Sequence, residues 1–97
     1  MAILYRPDGT QETVTPANGV HWSLEELQTL VGGDIRYVRT TAGHWLVVDE
    51  DGIRKRKAPN FTATGMYIHG EYDILLGDVL WIETWLELDG PPNPKEE

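Results

Sequence analysis

Residues 22–33, WSLEELQTLVGG, write out a capped helix. Ser23 stands at the N-cap and Glu26 three residues later, the pattern of a capping box. Trp22 and Leu27 take the positions of a hydrophobic staple. Leu24, Leu27, Leu30 and Val31 form one apolar stripe. Gly32 and Gly33 supply the left-handed stop that glycine adopts at least cost. Local signals that agree in this way specify one structure. They carry no chemistry: Ser23 is the one serine of the chain, and capping accounts for it.

Upstream, Ala2 to Arg6 and Gln11 to Thr15 read as two strands joined at Pro7-Asp8-Gly9, a hairpin. Pro16-Ala17-Asn18-Gly19 is a loop that delivers the chain to the helix. Downstream, Asp34 to Thr40 alternates, with Ile35 and Tyr37 on one side and Arg36 and Val38 on the other. His44 to Asp49 is a second β-run, closed by the Asp51-Gly52 turn signal. Ile53 to Pro59, IRKRKAP, reads as a loop or an edge strand, since four bases stand before a proline. Asn60 reads as the cap of a short helix over Phe61 to His69. Asp78 to Leu88 reads as the last strand, with Leu80, Ile82, Leu86 and Leu88 on its core face. The expected class is α+β: a mostly antiparallel sheet of about five strands packed against one main helix and one short helix. The main helix is expected to cover one sheet face. Residues 1–88 form a single domain on this reading. Residues 89–97 form an acidic, proline-rich tail expected to be disordered.

The composition narrows the function. Hydrophobic residues make up 40% of the chain and charged residues 25%, as in ordinary soluble domains. With no cysteine, disulfides, thiolate zinc sites and cysteine nucleophiles all drop out. No apolar run reaches the ~18 residues that span a membrane, and MAILYRPDG lacks a signal-peptide pattern. A cytoplasmic protein is the expectation. Sixteen acids against eight bases give a net charge of −8, which repels nucleic acid and anionic membrane at long range. Direct nucleic-acid binding is therefore disfavoured. The same charge suits docking on a basic partner.

Catalytic patterns do not stand out. His21, His44 and His69 lie in separate segments, in no metal-binding spacing. There is no G-x-S-x-G elbow and no glycine-rich phosphate loop; Gly32-Gly33 follows a helix and does not open one. The expectation is a protein that is not an enzyme and has no cofactor or metal.

Three features point to surfaces. Asp49, Glu50 and Asp51 form an acidic turn, a candidate face for a basic partner. Arg54, Lys55, Arg56 and Lys57 hold half of the chain's bases. They precede the helix cap Asn60, with Thr62 just beyond. Basic side chains beside a helix N-terminus suit phosphate, so these six residues are a candidate ligand site. Trp81 and Trp85 fall opposite the core face of the last strand, where tryptophan is expected to meet a partner, a second copy of the chain or the second helix.

A wider set of residues carries a family resemblance. Asn18-Gly19, SLEELQ at 23–28, Val31-Gly32-Gly33, Val47-Val48-Asp49-Glu50-Asp51-Gly52, Asn60 with Ala63-Thr64, Asp73 and Gly77-Asp78-Val79 stand in this order. Together they resemble the family called domain of unknown function 3846. The family's members look like short proteins of bacteria, phages and other mobile elements. The resemblance implies a cytosolic accessory protein, and it brings no activity, cofactor or catalytic residue. The basic stretch before Asn60 departs from the family pattern.

The functional expectation follows. It is a non-catalytic, acidic interaction protein of phage or mobile-element type. Its partner would be a host protein with a basic surface, such as a nucleic-acid-handling or defence machine. The alternative is a binder that sequesters a nucleotide or phosphorylated metabolite at the basic loop.

Overall fold

The computed structural model describes residues 2–84, 87 and 88. Its elements are β1 (Ala2–Tyr5), β2 (Gln11–Val14), α1 (Leu24–Val31), β3 (Ile35–Arg39), β4 (Trp45–Asp49), α2 (Phe61–Met66) and β5 (Val79–Ile82). The strands form one sheet in the order β2-β1-β5-β4-β3, and each neighbouring pair is antiparallel. This is the expected α+β class. Trp85 and the tail from residue 89 lie outside the described residues. No helix among the described residues is long and apolar enough to cross a membrane.

Local chemistry builds α1 as its sequence reads. Ser23 Oγ accepts from Glu26 N–H at 3.1 Å, and Glu26 Oε1 accepts from Ser23 N–H at 3.0 Å. Glu26 Oε2 also accepts from Ala17 N–H at 2.8 Å, which ties the preceding loop to the cap. Gly32 is left-handed, with φ 86°. The N–H groups of Gly32 and Gly33 both return to Gln28 O, closing the last turn. Trp22 and Leu27, the staple pair, sit in one core. The stripe is narrower than expected, because Leu24 is exposed.

The main helix covers one sheet face, as expected, and the second helix covers part of the other. On one face α1 sets Leu27 and Val31 against Ala2, Leu4, Val47, Leu80 and Ile82. On the other, α2 and the loop after it set Ala63, Tyr67 and Leu75 against Val38, Leu46, Val48 and Val79. All five residues of β4 are buried. A strand covered on both sides reads as a continuous apolar run, and WLVVD is close to one.

Two elements are shorter than expected. The second helix ends at Met66, because Tyr67 turns extended and pairs with Thr40 at the end of β3. The last strand ends at Ile82, which stands opposite Ala2 in the β1 pairing. Leu88 instead returns beside Trp22, whose N–H donates to Glu87 O at 2.7 Å. The segment 53–59 is a turn and loop and not an edge strand.

Candidate functional site

Part of the acidic turn and part of the basic run come together, Asp49 with Lys55 and Lys57. Asp49 ends β4 and is buried. Its Oδ2 accepts from Lys57 Nζ at 2.7 Å and from Lys55 Nζ at 2.9 Å. Its Oδ1 accepts from Asp51 N–H at 2.8 Å. Burial pushes the Asp49 carboxyl up, but the two ammonium groups and the Asp51 N–H outweigh it and hold the pKa at about 2. The same lysines reach the far end of α1. Lys57 Nζ donates to Val31 O at 2.6 Å, and Lys55 Nζ donates to Gly32 O at 2.9 Å. The last turn of α1 has no base of its own. Two cations from a distant loop therefore supply the positive charge that a helix C-terminus favours.

This contact explains the second glycine of Gly32-Gly33. Gly33 has no left-handed φ. A Cβ there would strike Lys55 Nζ and sit 2.9 Å from Asp49 Oδ1. The helix stop falls to Gly32, and at Gly33 a side chain would have to displace the Lys55–Asp49 contact.

The residues read as a phosphate site are thus divided. Lys55 and Lys57 are engaged by Asp49 and the end of α1, although Lys55 remains exposed. Arg54 is exposed and pairs with Asp51 at 3.2 Å. Arg56 is exposed in a left-handed turn position, φ 57°. Thr62 is exposed. Asn60 is fully buried, and its side chain is fully occupied. Nδ2 donates to Tyr5 O at 3.0 Å and to Gly77 O at 2.8 Å, while Oδ1 accepts from Ala63 N–H at 3.1 Å. The cap reading of Asn60 is met, and its other hydrogen bonds join α2 to β1 and to the approach of β5. Of the acidic turn, Glu50 is exposed and Asp51 half-buried.

Trp81 lies opposite the Leu80–Ile82 face, as its position in the strand predicts. That face is not solvated throughout: Trp81 is half-buried against the second core. Its ring meets His44 edge-on, with centroids 4.9 Å apart. His44 Nδ1 lies 2.8 Å from Glu83 O. Trp81, His44, Ile3, Tyr5, Met66 and Gly65 line an apolar groove of about 380 Å³. On the other side of Gly65 a second groove, about 430 Å³, is lined by Phe61, Tyr67, Ile68, Glu71 and Tyr72. Thr41 and Gly65 border both. Phe61 is 70% exposed, Ile68 48% and Tyr72 88%. A Cβ on Gly65 would meet nothing within 4 Å. Gly65 also has no left-handed φ, so the fold itself places no demand for glycine here. It leaves bare backbone between the two grooves, at a helix-propensity cost of about 1 kcal/mol relative to alanine.

The sequence reading missed Phe61, Ile68, Tyr72 and Gly65. One signal was available: Phe61, Thr62, Thr64 and Gly65 are weak helix formers in a six-residue helix. Such a helix is retained for what it packs and presents more than for its own stability. The histidines stay apart: His69 stacks edge-on against Tyr67, and His21 is exposed. Among the described residues no group of three or more His, Asp or Glu is close enough to hold a metal ion.

Fold and surface together define a small α+β domain with a twice-covered antiparallel sheet and an aromatic surface on its α2 side. The family model for domain of unknown function 3846 matches residues 1–87, and the chain belongs to that family. No curated protein and no solved structure matches it.

Proposed function

We propose that this chain is a non-catalytic interaction protein that docks another protein through the α2 surface. The observation that carries the reading is the gathering of Phe61, Ile68 and Tyr72, all exposed, along one groove. Exposed aromatic side chains clustered beside an accessible groove are the usual anchors of protein interfaces. The adjoining groove with Tyr5 and Trp81 extends the surface across bare backbone at Gly65. The partner carries a basic surface, because a net charge of −8 steers such partners inward and repels acidic ones. In the phage or mobile-element setting that the family resemblance implies, that partner is a host protein.

The acidic turn is a weaker anchor than its sequence suggests, since Asp49 is neutralised inside the fold. The nucleotide reading loses its main support for the same reason. Two of its four bases, and its Asn60, already have internal partners.

A photo-crosslinking residue in place of Tyr72 tests the reading, with one in place of Asp8 in the remote hairpin turn as control. Incubated with lysate of the native host, the first variant should give a discrete adduct with a basic protein, and the control should not. Equal labelling at both positions would reject the α2 surface as the docking face.

A further inference from the structure

The two edges of the sheet are finished differently. The outer side of β3 is covered where it ends: Ile68 N–H donates to Arg39 O at 2.9 Å, Thr41 N–H donates to Met66 O at 3.0 Å, and Thr40 pairs with Tyr67. At the other edge, β2 has β1 as its one strand neighbour among the described residues. The hairpin decides which backbone groups of β2 face outward. Arg6 N–H donates to Thr10 O, so these two residues form a hydrogen-bonded pair. Bonded and non-bonded pairs alternate along an antiparallel ladder. With the register Leu4–Glu12 and Ala2–Val14, those pairs are bonded. The N–H and C=O groups of Gln11 and Thr13 therefore point away from β1. Natural edges are blunted by short length, charged side chains (lysine above all), proline or a bulge; β2 is four residues long and carries Glu12. β2, Gln-Glu-Thr-Val, carries no lysine or proline, and its register runs without a bulge.

A groove of about 420 Å³ lies between this strand and α1, lined by Val14, Thr15, Trp22, Glu25, Thr29 and Leu30. Val14 and Leu30 are partly buried against the first core. Trp22 is buried, and its indole N–H has no acceptor among the described residues. Glu25 is exposed. The neighbouring Glu26 carboxyl is held below the usual carboxylate range, first by the Ala17 N–H and then by the Ser23 N–H. The groove thus joins an apolar floor to negative charge, beside a row of outward backbone donors and acceptors.

We propose that β2 takes up an extended segment of a partner protein as a sixth strand. Backbone pairing with Gln11 and Thr13 holds the segment. Its alternate side chains enter the groove, an apolar one against Val14 and Leu30 and a basic one against Glu25. The occupant is not a second copy of this chain. β2 itself carries Glu12 and no base, and two chains of net charge −8 repel each other. The site is distinct from the α2 surface, which lies on the opposite face of the sheet, and it stands or falls separately.

The test uses the full chain, labelled with ¹⁵N, and three blocked peptides. The first is Thr-Lys-Thr-Val-Thr-Lys-Thr, the second has glutamate in place of both lysines, and the third is the first with alternate backbone nitrogens methylated. At saturation the first should slow amide exchange at Gln11 and Thr13 about tenfold and shift the Trp22 indole resonance. The other two should do neither. Thr13→Pro removes an outward N–H and leaves the β1 ladder intact, so it should weaken binding about tenfold, the equivalent of about 1.4 kcal/mol, with the melting temperature held. The methylated peptide decides the matter even where that variant folds poorly. An equal response to the glutamate peptide would overturn the proposal. So would protection confined to residues 61–74, although that result leaves the α2 surface standing. Concentration-dependent protection at Thr13 without peptide would replace the partner with a second copy.

Discussion

Asp49 and Asn60 show how two polar residues that read as surface chemistry serve the interior. The Asp49 carboxyl has its pKa near 2, below the ordinary value of 3.8. A group whose folded pKa is depressed contributes stability that is complete above its unfolded pKa and fades as pH falls toward the folded one. The Asp49 contribution should therefore be intact at pH 6 and fade between about pH 4 and pH 2. Urea midpoints taken at pH 6 and pH 3 check this: wild type should lose stability between them, and Asp49→Asn should lose less. At pH 6 that variant should be less stable by roughly 1.5–3 kcal/mol, the worth of hydrogen bonds to a charged group. Asn60 supports a sharper comparison. Asn60→Ala removes the side-chain donor to the carbonyls of Tyr5 and Gly77 and the acceptor that caps α2, at a cost of roughly 2–4 kcal/mol. Asn60→Asp keeps the acceptor that caps α2 but sets a carboxylate against those two carbonyls. It should be no better than alanine at neutral pH, although aspartate is a good helix cap. Thermal unfolding of the two variants side by side reads this directly.

At the scale of elements, the helices differ in what sustains them. α1 holds its own signals at both ends, and Ser23→Ala should cost about 0.5–2 kcal/mol through the lost cap. Denaturant unfolding measures that loss. α2 has six residues and a glycine in its last turn, and it depends on the core beneath it. Gly65→Leu should raise or preserve the melting temperature, because leucine is the better helix former by close to 1 kcal/mol and the space around Gly65 is open. The same side chain would stand between the two grooves. Loss of the Tyr72 crosslink in a variant that melts no lower than wild type would separate docking from folding. A stabilised variant that still crosslinks would place the partner away from Gly65.

For the whole molecule, charge sets the range over which a partner is found, and the apolar surface sets how it is held. Retention of a basic partner should fall as salt rises from 50 to 500 mM, since the Debye length is about 8 Å at physiological ionic strength and shorter above it. Most of that loss should lie in the association rate, because steering acts before contact. Stopped-flow association at the two salt concentrations tests this. A dissociation rate that carries the whole salt effect would instead point to buried ion pairs at the interface.

The sequence by itself determined α1, the first hairpin, the alternation of β3 and the turn after β4. Each is written in residues within a few positions of one another, where capping, turn chemistry and periodicity act. It also determined the α+β class and the negative surface charge. The tertiary structure decided where the charged residues went. Lys57 reaches Val31 O across 26 positions and Lys55 reaches Gly32 O across 23. No local pattern encodes contacts of that separation. Four consecutive bases read the same whether they face solvent or cap a distant helix. The fold also decided that the face bearing Trp81 is half covered, because α2 packs there by contacts between segments remote in the chain. Exposure of Phe61 follows from that packing, since the side of α2 that buries Ala63 turns Phe61 outward.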